Sequence, residues 1–104
     1  MLIRSQDKLS LTNLRQVTDL NIVPSHDHSR YTLRAIYPHV INDDYAYMTL
    51  GRFSSRENAI KVLDMIQAQY QSAEESKIIG ILGHKQEFTF TIPTDKEMEN
   101  YAYK

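Results

Sequence analysis

The stretch Ser54–Ala73, SSRENAIKVLDMIQAQYQSA, constrains the fold more than any other part of the chain. At about 100° per residue, Ala59, Val62, Leu63, Ile66, Tyr70 and Ala73 fall on one side, with Ile60 at the edge. Lys61, Asp64, Gln71 and Glu75 fall opposite. An apolar stripe of that width suits one face of a sheet better than a narrow coiled-coil seam. Ser54 with Glu57 three residues on is a capping-box pattern, in which the hydroxyl and the carboxylate each accept from an N–H left free by the first turn. No Gly or Pro interrupts the run. The pattern predicts one amphipathic helix.

Short strands surround it. Met1–Ile3 and Leu9–Leu11 flank the polar turn Ser5-Gln6-Asp7-Lys8 and read as an N-terminal hairpin. In the run from Arg15 to Val23, Thr18, Leu20 and Ile22 share one face while Val17, Asp19 and Asn21 share the other; Pro24 ends it, because proline cannot donate to a ladder. Arg30–Tyr37 and Tyr45–Phe53 read as an antiparallel pair joined by PHVINDD, with a bend or bulge at Gly51. If Tyr37 stands opposite Tyr45, one face carries Tyr31, Leu33, Ala35, Tyr37, Tyr45, Tyr47 and Phe53. The other then carries Arg30, Thr32, Arg34, Ile36, Ala46, Met48, Leu50 and Arg52. A slip of one residue exchanges these faces, so the pattern leaves the core side open. Glu74–Lys85 reads as a connector or brief strand, and Gln86–Ile92, with Phe88, Phe90 and Ile92 alternating, as a closing strand. The expected fold class is α+β: a four- to six-stranded antiparallel sheet packed by one long helix. Residues 1–93 form the single domain and 94–104 a polar tail, and no internal repeat is evident.

Composition narrows the function classes. Twelve basic against thirteen acidic residues argue against a global electrostatic grip on nucleic acid. The absence of cysteine excludes disulfides and thiolate chemistry. MLIRSQDK lacks the apolar run of a signal peptide, and no stretch suits a membrane span, so a cytoplasmic setting without a membrane partner is expected.

Three constellations bear on chemistry. His26-Asp27-His28 has H-x-H spacing, which in an extended segment points both rings the same way; with His39, Asp43 or Asp44 from another loop it could hold zinc or iron. The competing reading is a polar turn with nothing bound. Seven tyrosines against three phenylalanines is heavy usage, and Tyr31, Tyr37, Tyr45 and Tyr47 lie close in sequence to Arg30, Arg34 and Arg52. Tyr and Arg combine contact area with a polar tip and are enriched at interface hot spots. The same pairing can stack single-stranded bases, and the bland alternative is core rings with hydroxyls at the rim. Ser and His occur without a nucleophile elbow, and Gly51, Gly80 and Gly83 form no phosphate loop, so neither catalysis nor a cofactor is expected.

Three blocks resemble a loosely defined group of small proteins of Gram-positive bacteria, their prophages and plasmids. They are Met1–Asp7 with Leu11–Asn13, then Leu50–Asp64 continuing to Ile66 and Gln67, and Phe90–Pro93. The resemblance implies a shared scaffold and a mobile-element setting, where small proteins often inhibit host machinery, CRISPR and other defence systems included. It implies no functional residues. The expectation is therefore a non-catalytic inhibitor that docks sterically on a host or defence protein, for instance a CRISPR effector, through Arg30, Tyr31, Arg34, Tyr45, Tyr47 and Arg52. The alternatives are a single-strand nucleic-acid-binding regulator on the same residues, and a metal-dependent enzyme at the HDH loop. A homodimer through an edge strand, either Gln86–Ile92 or the N-terminal hairpin, also stays open.

Overall fold

The strands sort into two sheets, not one. A computed structural model describes residues 1–79 and 89–101. Element order is β1 (Leu2–Arg4), β2 (Leu11–Asn13), a 3-10 turn (Leu14–Gln16), β3 (Asp19–Pro24), β4 (Tyr31–Ile41), β5 (Asp44–Phe53), α1 (Arg56–Ile79), β6 (Thr89–Thr91) and α2 (Asp95–Tyr101). The strand order is β2-β1-β6 in one sheet and β3-β4-β5 in the other. The class is α+β, but the single antiparallel sheet expected from the sequence is divided. The 3-10 turn ends the first ladder before β3 begins, and β6 returns after α1 to lie parallel to β1, with Ile3 opposite Phe90. The part of the closing strand before Thr89, and the connector from Gly80, lie outside the described residues.

Gln6 joins the two sheets. Its backbone N–H donates to Leu50 O at 2.7 Å. Its side-chain Nε2 donates to Arg52 O (3.1 Å) and Pro93 O (3.0 Å), and Oε1 accepts from Arg52 N (3.0 Å). Gly51 lies between these contacts. A Cβ there would meet Ile92 Cγ2 at 2.9 Å and Gln6 Cβ at 3.2 Å, so this position needs a residue without one. The stretches Met1–Asp7, Leu50–Gln67 and Phe90–Pro93 thus meet at one junction.

The register of the long hairpin decides which residues face out. Leu33 pairs with Gly51 but Arg34 with Thr49, so Leu50 is an extra residue in β5. Such a bulge reverses the alternation beyond it. Phe53 therefore faces the core while Tyr47 and Tyr45 face away, and Ala35 meets Met48 on the inner side. A second irregularity sets Tyr37-Pro38-His39 against Ala46, so that Val40 and not Tyr37 stands opposite Tyr45. This corrects the grouping of Tyr45 and Tyr47 with Tyr31, Leu33, Ala35 and Phe53. The loop PHVINDD is also mostly strand: only Asn42 and Asp43 turn, with φ of 51° and 67°. Positive φ at both central residues is the signature of a type I′ hairpin, which Asn and Asp tolerate.

α1 covers the inner face of β3-β4-β5. Ala59, Val62 and Ile66 are buried against Ile3, Leu33, Ala35, Leu50, Phe53 and Ile92, as the helical period predicts. Burying an aliphatic or Phe side chain of this kind stabilises the fold by roughly 1.5–3 kcal/mol. Tyr70 stands exposed over a groove with Leu14, Val17, Leu20 and Leu63, and Ile60 at the edge of the stripe is exposed as well; the side chain of Ala73 lies outside the described residues. The cap lies one residue later than the sequence pattern suggests. Ser55 Oγ accepts from Asn58 N (3.1 Å), whereas the Ser54 N–H donates to Asp95 Oδ2 (2.9 Å). Asp95 Oδ1 also accepts from Asn58 Nδ2 (3.0 Å), so an anion from α2 faces the positive end of α1. The polar tail begins with a folded helix: Thr94 and Glu97 form a reciprocal capping box, and Met98 joins the core.

Candidate functional site

The outer face of β3-β4-β5 has no layer on it among the described residues. Asp19, Asn21 and Val23 of β3 align with Thr32, Arg34 and Ile36 of β4 and with Tyr47, Thr49 and Arg52 of β5. At the centre of this face the Arg34 guanidinium carbon lies 4.4 Å from the Tyr47 ring centroid, a cation–π contact. Arg34 Nε also reaches Asn21 Oδ1 at a long 3.5 Å. A shallow groove of about 500 Å³ runs over Thr18, Asp19, Asn21, Arg34, Ile36, Asp44, Tyr45 and Tyr47.

Beyond Ile36, whose carbonyl takes the last bond from β3's side (Thr18 N, 2.9 Å), β4 and β5 continue as a two-stranded arm. Pro38 through Tyr45 is exposed throughout. The arm keeps its form through the type I′ turn, the Val40–Tyr45 pair and a stack of Tyr37 on His39 at 5.8 Å. Its apolar side chains stand in solvent: Val40 is 58 % exposed, Ile41 56 %, Tyr45 62 % and Tyr47 55 %. An isolated two-stranded ribbon is marginal in water, so an arm with this much apolar surface is a good surface for a partner to cover.

Of the six residues singled out from the sequence, the structure brings together Arg34, Tyr45 and Tyr47. Arg52 shares their face towards the other end of β5, where Gln6 holds its backbone. Tyr31 faces the opposite side, half-buried, and lines a separate 330 Å³ niche with Ile22, Pro24, His28, Arg56 and Ile60. Arg30 is exposed in the loop before β4, at the end of the strand away from the arm. Sequence reasoning did not single out Val40 and Ile41. The signal was the Asn42-Asp43 pair, which allows a two-residue turn and so extends both strands.

The HDH loop is built around its own aspartate. Asp27 Oδ1 accepts from Ser25 Oγ (2.8 Å), Ser29 N (3.1 Å) and Ser29 Oγ (2.7 Å). Those donors, the Ser29 hydroxyl foremost, hold its pKa at about 2. His39, Asp43 and Asp44 cannot complete a set with His26 and His28. They lie at the other end of β4, whose eleven residues span roughly 35 Å. Among the described residues no group of three or more His, Asp or Glu gathers in reach of one ion. Two acids, Asp19 and Asp44, line the groove with Arg34, a mixture that disfavours a phosphate backbone. Among the described residues no helix is long and apolar enough to cross a membrane. No family model, curated protein or solved structure matches the chain.

Proposed function

We propose that the protein is a non-catalytic accessory protein of a mobile element, an inhibitor that docks on a host defence protein such as a CRISPR effector. It would act by covering the partner's surface. The observation that carries this reading is the projecting arm, with Val40, Ile41, Tyr45 and Tyr47 exposed and Tyr47 in a cation–π contact with Arg34. Tyrosine and arginine are the anchors most enriched at interface hot spots, which favours a steric binder. The resemblance of the Met1–Asp7, Leu50–Gln67 and Phe90–Pro93 stretches supplies the setting. Affinity capture from Gram-positive cells that carry defence systems tests the proposal. Tyr45→Ala or Arg34→Ala should each weaken capture by about 30-fold or more, the hot-spot scale of about 2 kcal/mol. Arg30→Ala, away from the arm, should leave it unchanged. Capture indifferent to both Tyr45 and Arg34 would sink the choice of surface. Titration with single-stranded oligonucleotides at low salt should be flat, and a saturable, steeply salt-sensitive response would favour the nucleic-acid alternative.

A further inference from the structure

The niche between α1 and the β3–β4 hairpin differs from the two other grooves in its charge. Ile22 and Pro24 of β3 line it with Tyr31 of β4, which stands opposite Pro24 on the inner face of the sheet. Arg56 and Ile60, one helical turn apart on α1, close the other side, and His28 joins them from the loop. The groove beside the arm mixes Arg34 with Asp19 and Asp44, and the one under Tyr70 holds Asp19 and no cation. The niche has a guanidinium, an imidazole and a phenol, and no carboxylate lines it.

Its donors are also unspent. Arg34 is engaged by Tyr47 and Asn21, whereas among the described residues the Arg56 guanidinium, the His28 imidazole and the Tyr31 hydroxyl have no hydrogen-bond or ion-pair partner. Acids on the flanking segments are turned to other work. Asp27 accepts from Ser25 and Ser29, and Asp95 accepts from the Ser54 N–H and Asn58 Nδ2. Glu57 follows Arg56 directly, and consecutive helical residues do not share a face.

A guanidinium takes a carboxylate or a phosphate through charge-assisted hydrogen bonds, two oxygens at a time, and imidazole and phenol add further donors. The rest of the lining, Ile22, Pro24, Ile60 and the Tyr31 ring, is apolar. The volume of about 330 Å³ is at the small end for a ligand site and suits one ring or short chain. We infer that the niche binds a small organic anion, a single carboxylate or phosphate carried on an apolar ring or short chain. The head group lies on Arg56, His28 and Tyr31, and the body lies against Ile22, Pro24 and Ile60. No lining residue belongs to the arm, so the site is independent of the docking surface proposed above. A ligand held there ties the first turn of α1 to the β3–β4 hairpin and stabilises the folded chain by binding it alone.

Amide NMR titration of the purified full chain at constant ionic strength tests this, with phenyl phosphate and benzoate as probes and inorganic phosphate and phenol as their separate halves. At least one of the two probes should give saturable shifts at His28, Tyr31, Arg56 and Ile60 and none at Val40 or Tyr45, with a matching rise in Tm. Each half should bind at least about tenfold more weakly than the joined molecule, since burying a ring is worth that much. Comparing the two probes decides between carboxylate and phosphate. Arg56→Gln, an exposed change, should weaken the preferred probe at least tenfold, the scale of a lost hydrogen bond to a charged group. His28→Asn removes the imidazole while tolerating the φ of 61°, and Tyr31→Phe removes only the hydroxyl; both should weaken it severalfold. No saturable shift with either probe overturns the inference, as does binding indifferent to Arg56. Inorganic phosphate bound as tightly as phenyl phosphate overturns it too, since that would be an adventitious ion only.

Discussion

The loops Ser5–Ser10 and Ser25–Arg30 are the same object used in two ways. Each joins two antiparallel strands, β1 to β2 and β3 to β4, and each begins Ser-x-Asp. In both, the first serine's N–H donates to the sixth residue's carbonyl (2.9 and 2.8 Å) and its carbonyl accepts from the fourth residue's N–H (2.9 Å in each). Its hydroxyl donates to the aspartate and accepts from the sixth N–H at 3.1 Å. The aspartate also accepts from the fifth N–H, and the fourth residue, Lys8 or His28, sits at a φ of 67° or 61°. Local side-chain bonds of this kind shape a loop without help from the rest of the fold. What differs is the second position. Gln6 reaches across to β5 and Pro93, while His26 points into solvent. Shape is written locally, and role is set by what the loop can reach.

Exchanging that one contact should produce the largest effect. Gln6→Ala removes three side-chain bonds to backbone groups and should cost about 2–3 kcal/mol in denaturant unfolding. His26→Ala, at the equivalent position, should lie within about 0.5 kcal/mol of the parent. Equal costs would mean that Gln6 is not the link between the sheets. Gly51→Ala tests the same junction from the other side. Its Cβ would press on buried Ile92, so a cost of about 1–3 kcal/mol is expected.

These contacts also mark where the sequence stops being legible. The α1 period reads directly because i, i+3 and i+4 neighbours are fixed by helix geometry, and the buried Ala59, Val62 and Ile66 follow from it. The exact cap does not, since Ser54 and Ser55 are equally able acceptors and the choice falls to Asp95, 41 residues away from Ser54. The side on which Tyr45 and Tyr47 lie was hidden for a different reason. A single extra residue at Leu50 reverses the alternation, and the local pattern around Gly51 marks a bend without giving its register. The pairing of β6 beside β1 joins the two ends of the chain and has no local signature at all. Of the candidate site, residue types were legible. Their grouping was not, because it depends on that register.

The next difference between the loops is burial. Ser5 is enclosed by the fold and Ser25 is only half-buried. Ser5→Ala takes the acceptor from the Ser10 N–H at a buried position and leaves Asp7 with the Leu9 N–H alone, and should cost about 1–2 kcal/mol. Ser25→Ala breaks the matching bonds where water can replace them, and should cost well under 1 kcal/mol. A reversed order would show that burial does not separate the two loops.

The smallest difference is in acid. Both aspartates are held below the usual carboxylate value of 3.8, Asp7 by the Ser5 hydroxyl and then the Leu9 N–H, and Asp27 to about 2 by the Ser29 hydroxyl, the Ser29 N–H and the Ser25 hydroxyl. A lowered folded-state pKa stabilises above the unfolded value, and that contribution is lost as pH falls through the folded one. For Asp27 the window therefore runs from 3.8 down to about 2, and the Tm difference between parent and Asp27→Ala should narrow across it. Nothing of this should be visible near neutral pH. The loops differ here by one donor, since the fifth residue of the first is Leu9, which has no hydroxyl, and that of the second is Ser29. Carboxyl carbon NMR titration of two variants isolates it. Ser29→Ala should raise the Asp27 midpoint, and Leu9→Ser, at a side chain 85 % exposed and free to change, should lower that of Asp7. Midpoints that stay put in both variants would mean that the hydroxyl at the fifth position does not hold the carboxylate charged, leaving the backbone N–H and the first serine as the donors that do.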